Sequence, residues 1–224
     1  DHKTEETTKL EDRILVTRVG PTTQTTQSSV GVVQGYGGPE PQDTTTLAAG
    51  LAVEVPSAQR FYDIGTWDWS TTSAAGHTKR YPLPASLRKG AFANLAKTYV
   101  LMQNGWEIVV SAQGTLSHGG MLMVAMVPEL NFKTESDAQP ADYRQYTVFP
   151  HQMINPRTNT TAHIRVPYVG AFSMEDVNKH NAYTLVLVVV SPLTAGGHTK
   201  TVVKVKVTAA PIDVRVVGET PERQ

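Results

Sequence analysis

The segment Thr201-Val202-Val203-Lys204-Val205-Lys206-Val207-Thr208 indicates the fold class, because its lysines and valines alternate residue by residue. Successive side chains of a β-strand point to opposite faces of the sheet. The pattern therefore predicts a strand with one buried face and one solvated face. A second run, Ile212 to Val217, follows Pro211 and predicts another strand.

Short runs of β-type residues continue along most of the chain, with turn-forming residues between them. The other predicted strands lie at residues 30–36, 61–69, 98–102, 106–112, 121–127, 161–166 and 183–190. The predicted turns lie at Asn104-Gly105, Gly119-Gly120, Pro128, Asn155-Pro156, Pro192, Gly196-Gly197 and Pro211. About eight strands in one domain with few helices predict an all-β fold, an eight-stranded jelly-roll β-sandwich. The long connections favour this form over an immunoglobulin-like sandwich.

One segment, residues 84–97, has the pattern of a helix instead. Leu87, Ala91 and Leu95 recur four residues apart, which places them on one helical face. Gly90 lowers the helical stability of this segment by about 1 kcal/mol relative to Ala. A second short helix is predicted near residues 173–178, and residues 135–142 are predicted to form an exposed polar loop.

Composition excludes several classes of protein. The chain has 224 residues and no Cys, so disulfides and thiolate metal sites are excluded. Its 20 Lys and Arg balance its 20 Asp and Glu, whereas a chain that grips a phosphate backbone is usually basic. Any RNA contact is therefore expected to be weak or local. The longest apolar run, residues 185–190, is too short for a membrane span.

The chain is predicted to have three parts: an N-terminal arm at 1–28, the jelly-roll domain at 29–217 and a C-terminal tail at 218–224. The arm is rich in Thr, Gln and Glu and cannot bury enough apolar area to fold alone. It is either a disordered tail or a segment that orders against neighbours. Its first residues match neither a signal peptide nor a myristoylation site, which suggests that the chain begins at an internal cut.

Motifs of nucleophilic, metal-dependent or nucleotide-dependent enzymes are absent from the sequence, so no catalytic metal and no cofactor is implied. Trp67, Trp69 and Trp106 could stack on bases or sugars, but their positions in predicted strands favour burial. A stand-alone carbohydrate-binding jelly roll remains an alternative function. A hydrolase is a third, for which the nucleophile motif is missing. The sequon Asn159-Thr160-Thr161 is expected to be silent in a protein assembled in the cytosol.

One segment carries a resemblance to a known family: Phe149-Pro150-His151-Gln152-Met153-Ile154-Asn155-Pro156-Arg157-Thr158-Asn159. It resembles a Phe-Pro-His-Gln…Ile-Asn…Arg-Thr-Asn run that precedes a strand in the second capsid protein of picornaviruses, viral protein two. Further similar stretches follow the same order, at residues 3–15, 25–32, 102–107, 119–129 and 162–170. The first of these resembles the aphthovirus branch.

The resemblance implies a wall subunit of an icosahedral virion that encloses an RNA genome. Its implied partners are two sibling capsid proteins, the small internal capsid protein and, weakly at the inner face, genomic RNA. Assembly in the host cytoplasm is implied, with the arm inside the shell. No Arg-Gly-Asp motif is present, so the host receptor stays unknown.

The resemblance also places the first helix at pentamer edges, beside the two-fold axis, where a copy meets itself. On this chain the candidate contacts across the axis are Arg88, Lys89, Phe92 and Asn94. The alternative is that this helix only covers its own sheet.

The resemblance gives His151 a candidate role in the maturation cleavage of the precursor, as a single-turnover event on its own chain. A neutral imidazole can polarise or deprotonate a water molecule near the peptide bond that is cut. The alternative is a histidine that fixes its own turn by a hydrogen bond. The ends fit such processing, with Gln224 left by the main viral protease and Asp1 by the maturation cut.

Two further expectations concern acid and the loop after His151. Imidazoles at subunit contacts gain charge in mild acid, so the resemblance implies shells that fall apart into pentamers. The histidines that could contribute are His2, His77, His118, His151, His163, His180 and His198.

Arg157 is predicted to anchor the loop beside Asn159, by donating to carbonyl groups or to a carboxylate.

Overall fold

The computed structural model describes residues 16–19, 22–25, 33–35, 53–87, 90–128, 136–138, 142–176 and 178–219. Its helix α1 is Gly90–Thr98, and its short 3-10 helices are Pro56–Ala58, Ala85–Leu87 and Tyr143–Tyr146. Its strands are β1 Val16–Val19, β2 Thr22–Thr25, β3 Val33–Gln34, β4 Val53–Glu54, β5 Tyr62–Ser70, β6 Thr78–Leu83, β7 Tyr99–Gln113, β8 His118–Pro128, β9 Ser136–Ala138, β10 His151–Ile154, β11 Thr161–Val166, β12 Tyr183–Ala195 and β13 Val202–Glu219.

Two facing sheets hold most of these strands. One has the order β3-β11-β7-β13-β4, with β5 also paired to β13, and the other has the order β10-β8-β12-β6-β9. When β5, β6, β7, β8, β10, β11, β12 and β13 are numbered one to eight, the sheets read 1-8-3-6 and 2-7-4-5. This is the strand order of a jelly roll. The predicted fold class is confirmed.

The core lies between the sheets and is built from alternate residues of the long strands. In β13, Val203, Val205 and Val207 are buried whereas Lys204 and Lys206 are exposed, as the alternation predicts. Burying one such side chain contributes about 1.5–3 kcal/mol. A slip of one residue would expose the whole row, so this pattern fixes the register of β13.

The outer face of the five-stranded sheet carries a second apolar layer. Met123 and Ala125 of β8 and Val186 and Val188 of β12 are fully buried there, under Tyr146 of the third 3-10 helix. Both faces of these central strands are therefore covered within the chain. This explains why the apolar runs of β8 and β12 are nearly continuous, whereas β13 alternates.

Several strands are longer than predicted, because predicted turns lie inside them. Asn104-Gly105 and Gly119-Gly120 are within β7 and β8, so those two turn predictions are wrong. A Cβ atom on Gly105 would lie 2.5 Å from the backbone oxygen of Val166 on the neighbouring strand. The glycine therefore permits a close approach of two strands and does not form a turn.

Pro192 and Pro211 also lie inside strands, in β12 and β13, and their predicted turns are wrong. Pro192 falls where the pairing of β12 with β8 is irregular, between Ser191 and Thr194. Proline has no backbone N–H to donate, and such irregularities are where a sheet tolerates it. The predicted strand end at Pro128 and the predicted turns at Asn155-Pro156 and Gly196-Gly197 are confirmed.

The helical segment is shorter than predicted and buries a different face. A 3-10 helix covers residues 85–87, and α1 begins at Gly90. Phe92 and Ala96 are the buried residues of α1, whereas Ala91 is exposed, so the buried face is not the one on which Leu87, Ala91 and Leu95 recur. The second predicted helix is also wrong for residues 173–176, which form bends and a β-bridge between Glu175 and Met102.

The structure adds strands that sequence patterns did not indicate. β6 contains Pro82 and β10 begins with His-Gln, so neither has the composition of a typical strand. Ser136–Ala138 pairs with β6, which corrects the predicted loop there.

Within the arm, β1 and β2 form an antiparallel pair, and its other residues lie outside the described ranges. Of the predicted tail, 218 and 219 belong to β13, and 220–224 lie outside those ranges.

Candidate functional site

His151 is the first residue of β10, where it pairs with Ala125 of β8 and is only 6% exposed. Its Nδ1 lies 2.8 Å from the carbonyl oxygen of Phe149, so Nδ1 carries the hydrogen and donates it. This is the turn-fixing bond that the alternative interpretation requires. In the neutral ring the same bond leaves Nε2 with its lone pair, which is the arrangement that a general base also needs.

The next residue, Gln152, connects the two sheets. Its Oε1 accepts a hydrogen bond of 2.7 Å from the backbone N–H of His163 on β11. The ring of His163 lies in turn 2.5 Å from Oε1 of Glu107 on β7. The first bond ties β10 of one sheet to β11 of the other, and the second joins β11 to its neighbour β7. Sequence reasoning did not single out Gln152 or Glu107, because their partners are distant along the chain.

Asn155 organises the loop that follows β10. Its Oδ1 accepts hydrogen bonds from the backbone N–H groups of Arg157 and Thr158, at 3.0 and 2.7 Å. Asn159 closes the loop by donating from Nδ2 to the carbonyl oxygen of Met153 at 2.8 Å. The side chain of Arg157 is exposed, so the loop is held by the two asparagines. The Asn-Pro pair is the signal that could have indicated this, since Asn side chains commonly bond backbone N–H groups two residues on.

The four candidate contact residues in and just before α1 differ in burial, and two of them lie outside the described residues. Phe92 is 1% exposed and packs against Trp106, with ring centroids 5.7 Å apart, so its side chain holds the helix on its own sheet. Asn94 is exposed, as a contact to a neighbour requires. Arg88 and Lys89 lie outside the described residues.

The His151 segment and α1 are not brought together. Helix α1 leads directly into the first residue of β7, whereas Gly114, just beyond the last residue of β7, lies against Pro156. Phe92 of α1 contacts Trp106, and the seven residues of β7 from there to Gln113 span roughly 23 Å. The candidates therefore form two separate sites.

The tryptophans are core residues, as their strand positions predict. Trp67, Trp69 and Trp106 are 7%, 0% and 1% exposed. Among the described residues, the large apolar side chains that are exposed include only two aromatic ones, Phe61 and Phe172. The carbohydrate-binding alternative needs a row of exposed aromatic rings, and the described surface offers no tryptophan for it.

Comparison with known proteins identifies the family to which this jelly roll belongs. The model of the picornavirus capsid protein family, Rhv, matches residues 25–195, which is most of the chain. The chain belongs to the picornavirus capsid protein family. It is thus a structural protein of a virion, and the resemblance found in its sequence is confirmed at the level of the family.

A relative of this capsid protein is the genome polyprotein of encephalomyocarditis virus (strain emc-b nondiabetogenic), which is 30% identical over 241 aligned positions. The alignment covers 95% of this chain and 10% of the relative. The capsid protein therefore spans about a tenth of the length of that polyprotein.

Neither a membrane-spanning helix nor a metal-binding cluster occurs among the described residues of the capsid protein. Helix α1 has nine residues, and no described helix is long and apolar enough to cross a bilayer. The described residues also contain no group of three or more His, Cys, Asp or Glu side chains that could hold a metal ion.

Proposed function

We propose that this capsid protein is viral protein two of an aphthovirus-like picornavirus, and that it is similar to the corresponding protein of equine rhinitis A virus. It forms the wall of an icosahedral shell around an RNA genome, together with two sibling proteins and the small internal protein. The family match over residues 25–195, on a complete jelly roll, is the observation that carries the proposal. The arm, residues 1–28, lies on the inner side, where a chain of zero formal net charge binds RNA weakly.

Co-expression with the other proteins of the capsid precursor tests this assembly. We expect the chain to sediment with them as pentamers and closed shells. If the chain stays a slowly sedimenting monomer in the presence of its siblings, the proposed function is wrong.

The proposed contact across the two-fold axis uses the exposed face of α1. Asn94 is exposed there, while Phe92 fastens the helix to the core. Arg88 and Lys89 complete the contact set by their position just before α1. Asn94→Lys adds a positive charge to each copy at a contact where the same patch meets itself, so we expect pentamers that fail to close into shells. Lys179→Glu changes an exposed charge outside the candidate set and serves as the control.

The proposed role of His151 rests on the nitrogen that remains available. Because Nδ1 donates to Phe149, Nε2 can accept a proton from water near the peptide bond to be cut. His151→Ala removes this nitrogen, so we expect particles that contain uncleaved precursor. His163→Ala is the matched control, since it removes an imidazole from β11, the next strand along the chain. Normal processing in the His151 variant would rule the role out.

Dissociation of the shells in mild acid is the last element of the proposal. Imidazoles at subunit contacts become cationic as the pH falls, and contacts that require the neutral form then lose stability. We expect shells to sediment intact at about pH 7.5 and as pentamers at about pH 5. Intact shells at the acid end would contradict this part alone and would leave assembly standing.

A further inference from the structure

The pair Asn104-Gly105 has the sequence of a turn but lies inside β7, and it is the only Asn-Gly pair of the chain. The fold itself requires the glycine, because a Cβ atom there would lie 2.5 Å from the backbone oxygen of Val166. Residue 105 therefore has no side chain that could shield its own backbone nitrogen from the side chain of Asn104.

In an unfolded chain such a pair undergoes deamidation. The backbone nitrogen of Gly105 attacks Cγ of Asn104 and forms a C–N bond, and the side-chain nitrogen leaves as ammonia with the hydrogen that Gly105 gives up. Water then opens the cyclic imide at either of its carbonyl carbons, which leaves aspartate or isoaspartate at position 104. Glycine favours the attack because its backbone is the least restricted.

In the jelly roll the side chain of Asn104 is buried and bonded. Only 6% of the residue is exposed. Alternation along β7 places it on the inner face, between the core residues Met102 and Trp106. Its Nδ2 donates a hydrogen bond of 2.9 Å to the carbonyl oxygen of Gly105. The amide is thus held in one orientation, away from water.

The backbone on both sides of Asn104 is held as well. Gly105 pairs with Ile212 and Gln103 pairs with Arg215, both on β13. Closing the cyclic imide requires ψ of Asn104 to leave the extended range, which would break this pairing. Because β7 lies between β11 and β13 in its sheet, the strand can open here only when the sheet itself comes apart.

Neither product fits the position that the amide occupies. An ionised carboxylate only accepts hydrogen bonds, so aspartate would turn an acceptor toward the carbonyl oxygen of Gly105 and would bury a charge. Isoaspartate adds its Cβ atom to the backbone of β7 and shifts the register of the strand from that point. Register decides which residues face the core, so the modified strand cannot bury the row that begins at Trp106.

We propose that Asn104 is a modification site that reacts only while the chain is unfolded, and that its deamidation excludes the chain from the jelly roll. The modification thereby distinguishes chains that stay unfolded from chains that fold promptly. It is a property of the single chain. Only its consequence, that shells contain asparagine at position 104, rests on the proposed function.

Ageing of the full chain at neutral pH, folded in buffer or unfolded in urea, gives the first test, with peptide mass spectrometry as the readout. A reaction that needs the open strand follows the unfolded fraction, which is about 10⁻³ or less in a folded domain. We therefore expect Asn104 to deamidate at least about a thousandfold more slowly in the folded chain. Asn178, which is exposed and precedes Lys179, is the internal control for the effect of glycine and should react more slowly than Asn104 in urea.

Two results of the ageing test would overturn the proposal. Equal rates at Asn104 in the folded and the unfolded chain would show that β7 does not protect the site. A rate at Asn104 no higher than that at Asn178 in urea would show that the pair is not reactive.

Refolding of the aged chain gives the second test. After dilution from urea, gel filtration separates folded from aggregated chains. We expect the modified residue to be depleted at least about tenfold from the folded fraction, the effect of one buried polar group that loses its partner. Asn104→Asp should likewise stay out of that fraction. Gln113→Glu makes the same change of amide to carboxylate at the exposed end of β7 and should fold as the native chain does. Equal shares of the modified residue in both fractions would overturn the exclusion.

Mass spectrometry of shells assembled from aged chain separates this inference from the proposed function. If shells form and contain the modified residue in the same share as the starting material, assembly is correct and the exclusion is wrong. If no shells form from unmodified chain while refolding excludes the modified residue, the proposed function is wrong and the inference stands.

Discussion

Gly105→Ala should destabilise the barrel even though it adds a single methyl group. A Cβ at this position would lie 2.5 Å from the oxygen of Val166 and 3.2 Å from Cα of Pro167, both backbone atoms of the adjacent chain segment. Ordinary van der Waals contact begins at 3.4 Å, so the oxygen must retreat by about 0.9 Å, the difference between 3.4 and 2.5 Å. Moving a paired strand costs about 3 kcal/mol, the upper end of typical overpacking.

Part of this cost is offset in the unfolded chain, because Ala has less backbone freedom than Gly, an effect of about 0.4–1 kcal/mol. The net loss in the free energy of unfolding is then about 2 kcal/mol, or a fall in Tm of about 4–8 °C for a domain of this size. Gly196→Ala is the matched control, because its Cβ would have nothing nearer than 3.5 Å. Urea and thermal unfolding of both variants measure the difference. If Gly105→Ala is as stable as Gly196→Ala, the close approach of the strands is not as described.

Three further changes have magnitudes that follow from burial and bonding. Phe92→Ala should lower the free energy of unfolding by about 3–5 kcal/mol in thermal melts, whereas Asn94→Ala on the exposed side of α1 should change it by less than about 0.5 kcal/mol. Asn155→Ala removes the acceptor of three backbone N–H groups and should cost about 1–2 kcal/mol, with faster proteolysis of the loop at 155–160 as a second readout. Lys204→Ala breaks an exposed ion pair, so urea unfolding should detect a loss below about 1 kcal/mol.

The fold class was predictable from sequence because alternation reports burial directly. Lysines and valines alternate in β13, which has one covered face. The apolar runs of β8 and β12 are continuous, and both faces of these strands are covered. Strand lengths were less predictable. Gly105 and Pro192 have the local signature of turns, but the neighbouring strands decide their conformation, and a single sequence does not contain that information.

The candidate sites were predictable only where local chemistry determines them. The loop held by Asn155 and Asn159 follows from the Asn-Pro pair, whereas His151 was named through the resemblance and is the first residue of β10. The hydrogen bonds from His163 to Gln152 and from His118 to the carbonyl oxygen of Lys200 depend on which strands become neighbours, and Lys200 is 82 residues from His118 in the chain. Phe92 was named as a contact residue because the resemblance places the whole helix at the two-fold axis, and a resemblance does not show which side of α1 is buried against its own sheet.

The position of β13 has a consequence for synthesis. The last strand of the jelly roll is the central one of its sheet, since it pairs with β7 on one side and with β5 and β4 on the other. Strand β5 has β13 as its only strand partner among the described residues, and Ser70 pairs with Val202. A ribosome that adds about 5–20 residues per second needs roughly 7–26 s to synthesise the chain from Ser70 to Val202. During that time β5 and β7 have emerged without the strand that joins them, so the nascent chain needs protection from aggregation until its final strand inserts.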